Sequence, residues 1–169
     1  PASVGRWDGG LLVLGANFGR EITRYMAGAS VHSSPAVANG IIYFGGNEGV
    51  FYALDATSAQ PRWTFRTGKK LNPAPSVVDG VVYFGSYDGN LYALDAYTGV
   101  ERRRFKSGGH ISTYPAVDDG GVFFGSDDRP FSAGRLVGLR NFSRAGRRPH
   151  VTGRRFQDAD ARGRPDAEP

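Results

Sequence analysis

Three short polar segments recur at a spacing of 40 residues: "ASVH" at 29–32, "KKLN" at 69–72 and "GHIS" at 109–112. They hold the side chains best suited to grip a ligand: His32, Lys69, Lys70, Asn72, His110 and Ser112. Lysine and asparagine can hold an anion or a carbonyl, and His110 can serve as a base or a ligand. The three segments differ from one another while the sequence around them repeats, which is where contacts are free to vary. The plainer reading is that polar loop residues are simply solvated. Asp55 and Asp95, also 40 apart, suggest an acid pair. Each stands directly before a turn, however, where a carboxylate caps backbone N–H groups. Trp63 invites a binding role, but a large aromatic side chain mostly serves burial.

Other chemistries find little support. Asp118, Asp119, Asp127 and Asp128 do not follow the spacing of a calcium-binding helix–loop–helix. Neither H-E-x-x-H nor G-x-S-x-G occurs, and the three histidines stand far apart. With no cysteine, a disulfide framework, a thiolate metal site and a cysteine nucleophile are excluded. No catalytic residue and no metal ligand is assigned. The sequon Asn141-Phe142-Ser143 matters only in an exported eukaryotic chain.

The elements that must position the loops follow from the repeat. Pro35, Pro75 and Pro115 align at a period of 40, as do Gly40, Gly80 and Gly120, and Gly45, Gly85 and Gly125. Each unit parses into four short strands. In the second, "SVV" (76–78) leads through Asp79-Gly80, a two-residue hairpin signal, into "VVYFGS" (81–86). Asp88-Gly89 turns the chain into "LYALD" (91–95), and "AYTG" turns it again into "ERRRFKSG" (101–108). A four-stranded sheet of this size cannot bury both faces alone. Stacking such sheets about an axis covers them, so the expected fold is all-β, a partial β-propeller of four-stranded antiparallel blades. A linear β-solenoid is the alternative.

The ends depart from the pattern. "GLLVLGANFG" (10–19) matches "GIIYFGGNEG" (40–49) at an offset of 30, which predicts that residues 1–32 form an abbreviated blade lacking the "YALD" strand. Residues 33–134 carry the repeats proper. Residues 135–169 hold nine Arg, four acids and few core-forming side chains, and read as a disordered tail. Loss of the pattern inside a strand suggests an out-of-frame or truncated continuation. Residues 1–134 hold 12 Lys/Arg and 12 Asp/Glu, so the net charge of +5 belongs to the tail. That tail reads as solvated, not as a grip on nucleic acid. No apolar run approaches the roughly 20 residues of a membrane span. No signal peptide is visible, and a start at Pro1 reads as a processed or partial chain.

The stretch "PSVVDGVVYFGSYDGNLYALDAYTG" resembles the pyrroloquinoline-quinone (PQQ)-like propeller repeat, and the likeness covers about residues 33–133. The resemblance implies a docking motif, A-x-D-x-x-T-G-x-x-x-W, between blades. Ala53, Asp55 and Trp63 fill it in one unit, with Ser58 and Ala59 at the usual Thr and Gly. Ala93, Asp95, Thr98 and Gly99 fill it in the next, with Arg103 at the place of Trp. The resemblance embraces two kinds of protein: quinoprotein dehydrogenases holding PQQ and calcium, and non-catalytic modules such as the lipoprotein subunit of the outer-membrane barrel-assembly machine. The expectation drawn here is the second. It describes a non-enzymatic interaction scaffold without cofactor, binding a protein partner or further blades, in the periplasm, cell envelope or extracellular space. The alternative is a fragment of a PQQ-dependent dehydrogenase.

Overall fold

The computed structural model describes residues 2–14, 19–118 and 121–127, with residues 2–5 as backbone only. The tail from 135 onward, Asp119, Asp128 and the 141–143 sequon lie outside the described residues, and so do the expectations placed on them. All regular elements among the described residues are strands. They are β1 (Ala2–Gly5), β2 (Gly10–Leu14), β3 (Glu21–Met26), β4 (Ala36–Ala38), β5 (Ile41–Gly45), β6 (Val50–Asp55), β7 (Pro61–Arg66), β8 (Ser76–Val78), β9 (Val81–Gly85), β10 (Asn90–Asp95), β11 (Glu101–Lys106), β12 (Ala116–Asp118) and β13 (Gly121–Phe123). They form four antiparallel meanders: sheet A (β1-β2-β3), sheet B (β4-β5-β6-β7), sheet C (β8-β9-β10-β11) and sheet D (β12-β13).

Local chemistry explains the turns. Asn39 and Gly40 have φ of 50° and 73°, and Asp79 and Gly80 have 49° and 73°. Two successive left-handed residues make the tight hairpin that matches strand twist, and Asn, Asp and Gly tolerate it best. A β-bulge recurs at one place in every complete outer pair: between Val13 and Leu14, Ala53 and Leu54, and Ala93 and Leu94.

That bulge corrects the alignment of the first unit. β2 pairs with β3 as Gly10↔Met26 and Leu11↔Tyr25, and β6 pairs with β7 as Val50↔Arg66 and Phe51↔Phe65. "GLLVL" is therefore the counterpart of "VFYAL" at an offset of 40, not of "IIYFG" at 30. The "YALD" strand is present in sheet A as β2, and β1 takes the place of β5. Turn hydrogen bonds keep the same period: Ala27 N–H donates to Gly9 O, Thr67 N–H to Gly49 O, and Ser107 N–H to Gly89 O. Strands buried on both faces carry no polar alternation, so β2 and β5 look alike as apolar runs.

The sheets stack face upon face. Leu11 and Val13 of sheet A meet Ile42, Phe44, Tyr52 and Leu54 of sheet B. The opposite face of sheet B, with Ile41, Tyr43, Phe51 and Ala53, meets Val82, Phe84, Tyr92 and Leu94 of sheet C. Sheet C in turn offers Val81, Tyr83, Leu91 and Ala93 to Val122 of sheet D and to Phe124 just beyond β13. Phe51 and Phe84 stack at 3.9 Å and 7°. Phe44, Phe51 and Phe84 are at most 1% exposed; burial on that scale stabilises by roughly 1.5–3 kcal/mol for each ring. The chain is thus a partial β-propeller, each central sheet sandwiched by its neighbours.

Candidate functional site: the loop rim

Each candidate loop is fixed by one apolar residue. Leu71 lies against Gly45, where an added Cβ would come within 2.4 Å of the leucine Cβ. Ile111 lies against Gly85, where an added Cβ would come within 2.3 Å of its Cγ2 and 2.9 Å of its Cβ. Only glycine allows so close an approach. The backbone completes the anchor: Leu71 N–H donates to Gly46 O, Ile111 N–H to Ser86 O, and Val31 N–H to Arg6 O. Val31, Leu71 and Ile111 are at most 3% exposed. A further clamp joins Ser33 Oγ to Gly45, donating to its carbonyl at 3.0 Å and accepting from its N–H at 2.9 Å. Thr113 holds Gly125 likewise, whereas Pro73 occupies the middle position and has no hydroxyl.

With the loops anchored, their polar residues fall beside the β5–β6 and β9–β10 turns. Lys70 places Nζ 4.5 Å from the centroid of the Tyr87 ring, and the His110 ring stacks on the same ring at 5.1 Å and 11°. Such a cation over an aromatic face is worth about 0.5–1 kcal/mol at an exposed site. His32 meets Trp7 instead, ring to ring at 4.4 Å, with Trp7 82% exposed. Ser112 Oγ donates to Asp127 Oδ1 at 2.9 Å. The Lys69 side chain is exposed, and its carbonyl accepts from Thr67 Oγ1 at 2.7 Å. Asn72 is half-buried, and its Oδ1 has no hydrogen-bond partner among the described residues. Asn47 Oδ1 and Glu48 Oε2 are in the same state on the adjoining turn.

The six residues therefore do not make one pocket. Lys70 and His110 converge on Tyr87, while His32 and Ser112 each find a separate partner. Trp7 and Tyr87 were missed by the sequence reading. They stand 80 apart, two repeats, at the same position of a turn. The anchors Val31, Leu71 and Ile111 do carry a signal, one apolar residue per polar loop at the period of 40.

Asp88 closes the turn beneath Tyr87. Burial pushes its carboxyl up, but hydrogen bonds from Gly68 N–H, the Tyr92 hydroxyl and Asn90 outweigh this and hold it below the usual range. The opposite end of the blades holds the other candidates. Asp55 Oδ1 accepts from the N–H groups of Thr57 and Ser58 at 3.0 and 3.1 Å, and its Oδ2 accepts from Arg62 at 2.7 Å. Asp95 caps Tyr97 and Thr98 at 3.0 and 2.9 Å and pairs with Arg102. Arg62 holds the Asp55 carboxyl well below its ordinary value, and Arg102 lowers Asp95 to about 2. The two carboxylates occupy equivalent places in different blades. Trp63 spans the seam between sheets B and C, its indole N–H donating to Ala96 O at 3.1 Å. Its ring covers Gly99, whose missing Cβ would lie 2.6 Å from it.

The family model for the outer membrane protein assembly factor BamB matches residues 8–140. The chain belongs to the BamB family of PQQ-like repeat propellers. The BamB of Moraxella catarrhalis superposes with a TM-score of 0.68 at 24% identity, over 73% of this chain and 39% of that one. The chain thus spans well under half the length of that BamB. A computationally designed protein, Ika4, gives 0.68 at 19% identity, over 75% of this chain and 79% of the design. The quinohemoprotein alcohol dehydrogenase ADHIIG of Pseudomonas putida HK5 gives 0.53 at 29% identity, over 57% of this chain and 17% of the enzyme. No curated protein matches. Calcium calls for about six to eight oxygen ligands. No cluster of three or more His, Cys, Asp or Glu suited to a metal occurs among the described residues of this BamB-family chain.

Proposed function

We propose that this chain is a non-enzymatic propeller module that binds a protein partner through the loop rim, as part of an outer-membrane assembly function in the cell envelope. The observation that carries the reading is the Lys70–Tyr87–His110 stack. It presents aromatic and cationic surface on loops anchored at their centres, and aromatic residues are enriched where proteins meet. Among the described residues no helix is long and apolar enough to cross a membrane.

The test is binding to a purified barrel-assembly complex stripped of its own propeller subunit, followed by biolayer interferometry. Association is expected, with at least a tenfold loss for Tyr87→Ala at unchanged thermal stability. Equal binding by the variant would overturn the rim as the contact. The second reading, a piece of a quinoprotein dehydrogenase, is favoured by the resemblance to ADHIIG. Dye reduction by this chain with added PQQ and calcium would establish it in place of the first.

A further inference from the structure

The β4–β5 hairpin turns on Asn39 and Gly40, both exposed. Ala38 and Ile41 pair across its mouth, so the ladder takes up their N–H groups and leaves the Gly40 N–H outside it. No atom lies within 4 Å of where a Cβ would stand on Gly40, so the approach to its nitrogen is open. The Asn39 carboxamide donates through Nδ2 to the Tyr97 hydroxyl at 3.0 Å, an exposed bond from sheet B to sheet C. β4 is three residues long and stands at the edge of sheet B, where local opening is easy. The other described asparagines lack this combination. Asn72 precedes Pro73, which has no N–H. Asn90 precedes Leu91, whose N–H lies within the inner strand β10. Asn47 precedes Glu48, whose side chain hinders its own nitrogen.

We propose that Asn39 is a site of spontaneous deamidation, with the Gly40 nitrogen as the nucleophile. That nitrogen bonds to the Asn39 Cγ, and the Cγ–Nδ2 bond breaks. Nδ2 departs as ammonia, carrying away the proton lost from the Gly40 N–H. Water then opens the cyclic imide at either carbonyl, leaving aspartate or isoaspartate at position 39. Water is the one co-reactant. Asn39 and Gly40 hold φ of 50° and 73°, and the reacting backbone must leave that geometry, so the step passes through local opening of the turn. The next repeat shows that the aspartate product fits. Asp79 and Gly80 hold the same turn at 49° and 73°, and Gly80 O accepts from Ala96 N–H as Gly40 O accepts from Ala56 N–H. Isoaspartate lengthens the backbone by one carbon and does not fit a two-residue turn. The site lies at the end of the blades away from the loop rim, so it is independent of the rim as a contact.

The test is peptide mapping by mass spectrometry on the folded 169-residue chain, kept at physiological temperature in mildly alkaline buffer. Amide-to-acid conversion and isoaspartate are expected at position 39, and none over the same period at Asn47, Asn72 or Asn90. Tyr97→Phe removes the acceptor of the carboxamide and is expected to speed conversion about twofold or more. Asn39→Asp is expected to keep the thermal stability of the parent. An Asn39 that stays intact for weeks, or conversion as fast at Asn47, Asn72 and Asn90, would overturn the proposal. So would an unchanged rate in Tyr97→Phe, or an Asn39→Asp chain that fails to fold.

Discussion

The B–C and C–D seams are built from the same repeat and differ in quality. In the first, Trp63 lies over Gly99, bonds Ala96 O, and packs near Tyr43 and Phe51 at 6.1 and 5.9 Å. In the second, the place of Trp63 is taken by Arg103, which is exposed. A cavity of about 300 Å³ opens there, lined by Tyr83, Leu91, Phe105, Val122 and Phe124, with Arg103 and Arg104 at its edge. The B–C seam joins two four-stranded sheets, whereas sheet D meets sheet C with the two strands β12 and β13 among the described residues. In the B–C seam Trp63 docks on the turn between β10 and β11; the counterpart of that turn in sheet D lies outside the described residues. A flexible, strongly hydrated side chain in the place of Trp63 leaves the ring contacts and their dispersion energy unrealised.

The comparison can be broken most directly by Trp63→Arg, which would make the B–C seam resemble C–D. Loss of a fully buried ring costs roughly 3–5 kcal/mol; Trp63 is partly buried, so about 2–3 kcal/mol and a marked fall in urea midpoint are expected, and a change below about 1 kcal/mol would show that Trp63 does not lock the seam. Gly99→Ala attacks the same contact from beneath. Its φ is 73° and its Cβ would strike the Trp63 ring. The left-handed backbone and the overpacking together are expected to cost about 2–4 kcal/mol. The reverse change, Arg103→Trp, sharpens the contrast by filling the C–D cavity. A gain of about 1 kcal/mol, a few degrees in melting temperature, is expected.

The smallest effect concerns the cap beside the seam. Arg102 lowers Asp95 to about 2, against 3.8 for the free group. A carboxyl lowered by folding stabilises fully above its unfolded value, and that stabilisation is lost as pH falls from about 4 through 2. The pair is substantially exposed, so its ionic part is at most about 1 kcal/mol. Asp95→Asn is expected to be less stable than the parent at pH 7 and to converge with it by pH 2. Denaturation curves at three pH values check this. A gap that stays constant with pH would assign the effect to the turn geometry instead.

The fold was legible because the repeat is nearly gapless and its turns carry Asn39-Gly40 and Asp79-Gly80, which leave little choice of backbone. The first sheet was misread for a physical reason. Leu11 to Leu14 and Ile41 to Phe44 are both apolar runs in strands covered on two sides, and neither shows which strand of the meander it is. Counting from the Asp8-Gly9 turn, the counterpart of Asp88-Gly89, resolves it. The candidate loops were also legible, as the unlike segments among like ones. Their partners were not. Lys70 meets Tyr87 across 17 residues and His110 meets it across 23, and nothing local in sequence announces a ring contact at that distance. The cation over Tyr87 depends on how the sheets fan apart, which a one-dimensional pattern does not encode.

The glycine beneath Leu71 and its twin beneath Ile111 have a consequence for how such proteins diversify. A segment secured by a single peg at its middle leaves the residues on either side free to be rewritten without disturbing the stack below. Recognition and stability are thereby placed under separate control. An exchange of "KK" for "GH" ahead of the peg would alter what the surface greets while leaving the architecture indifferent.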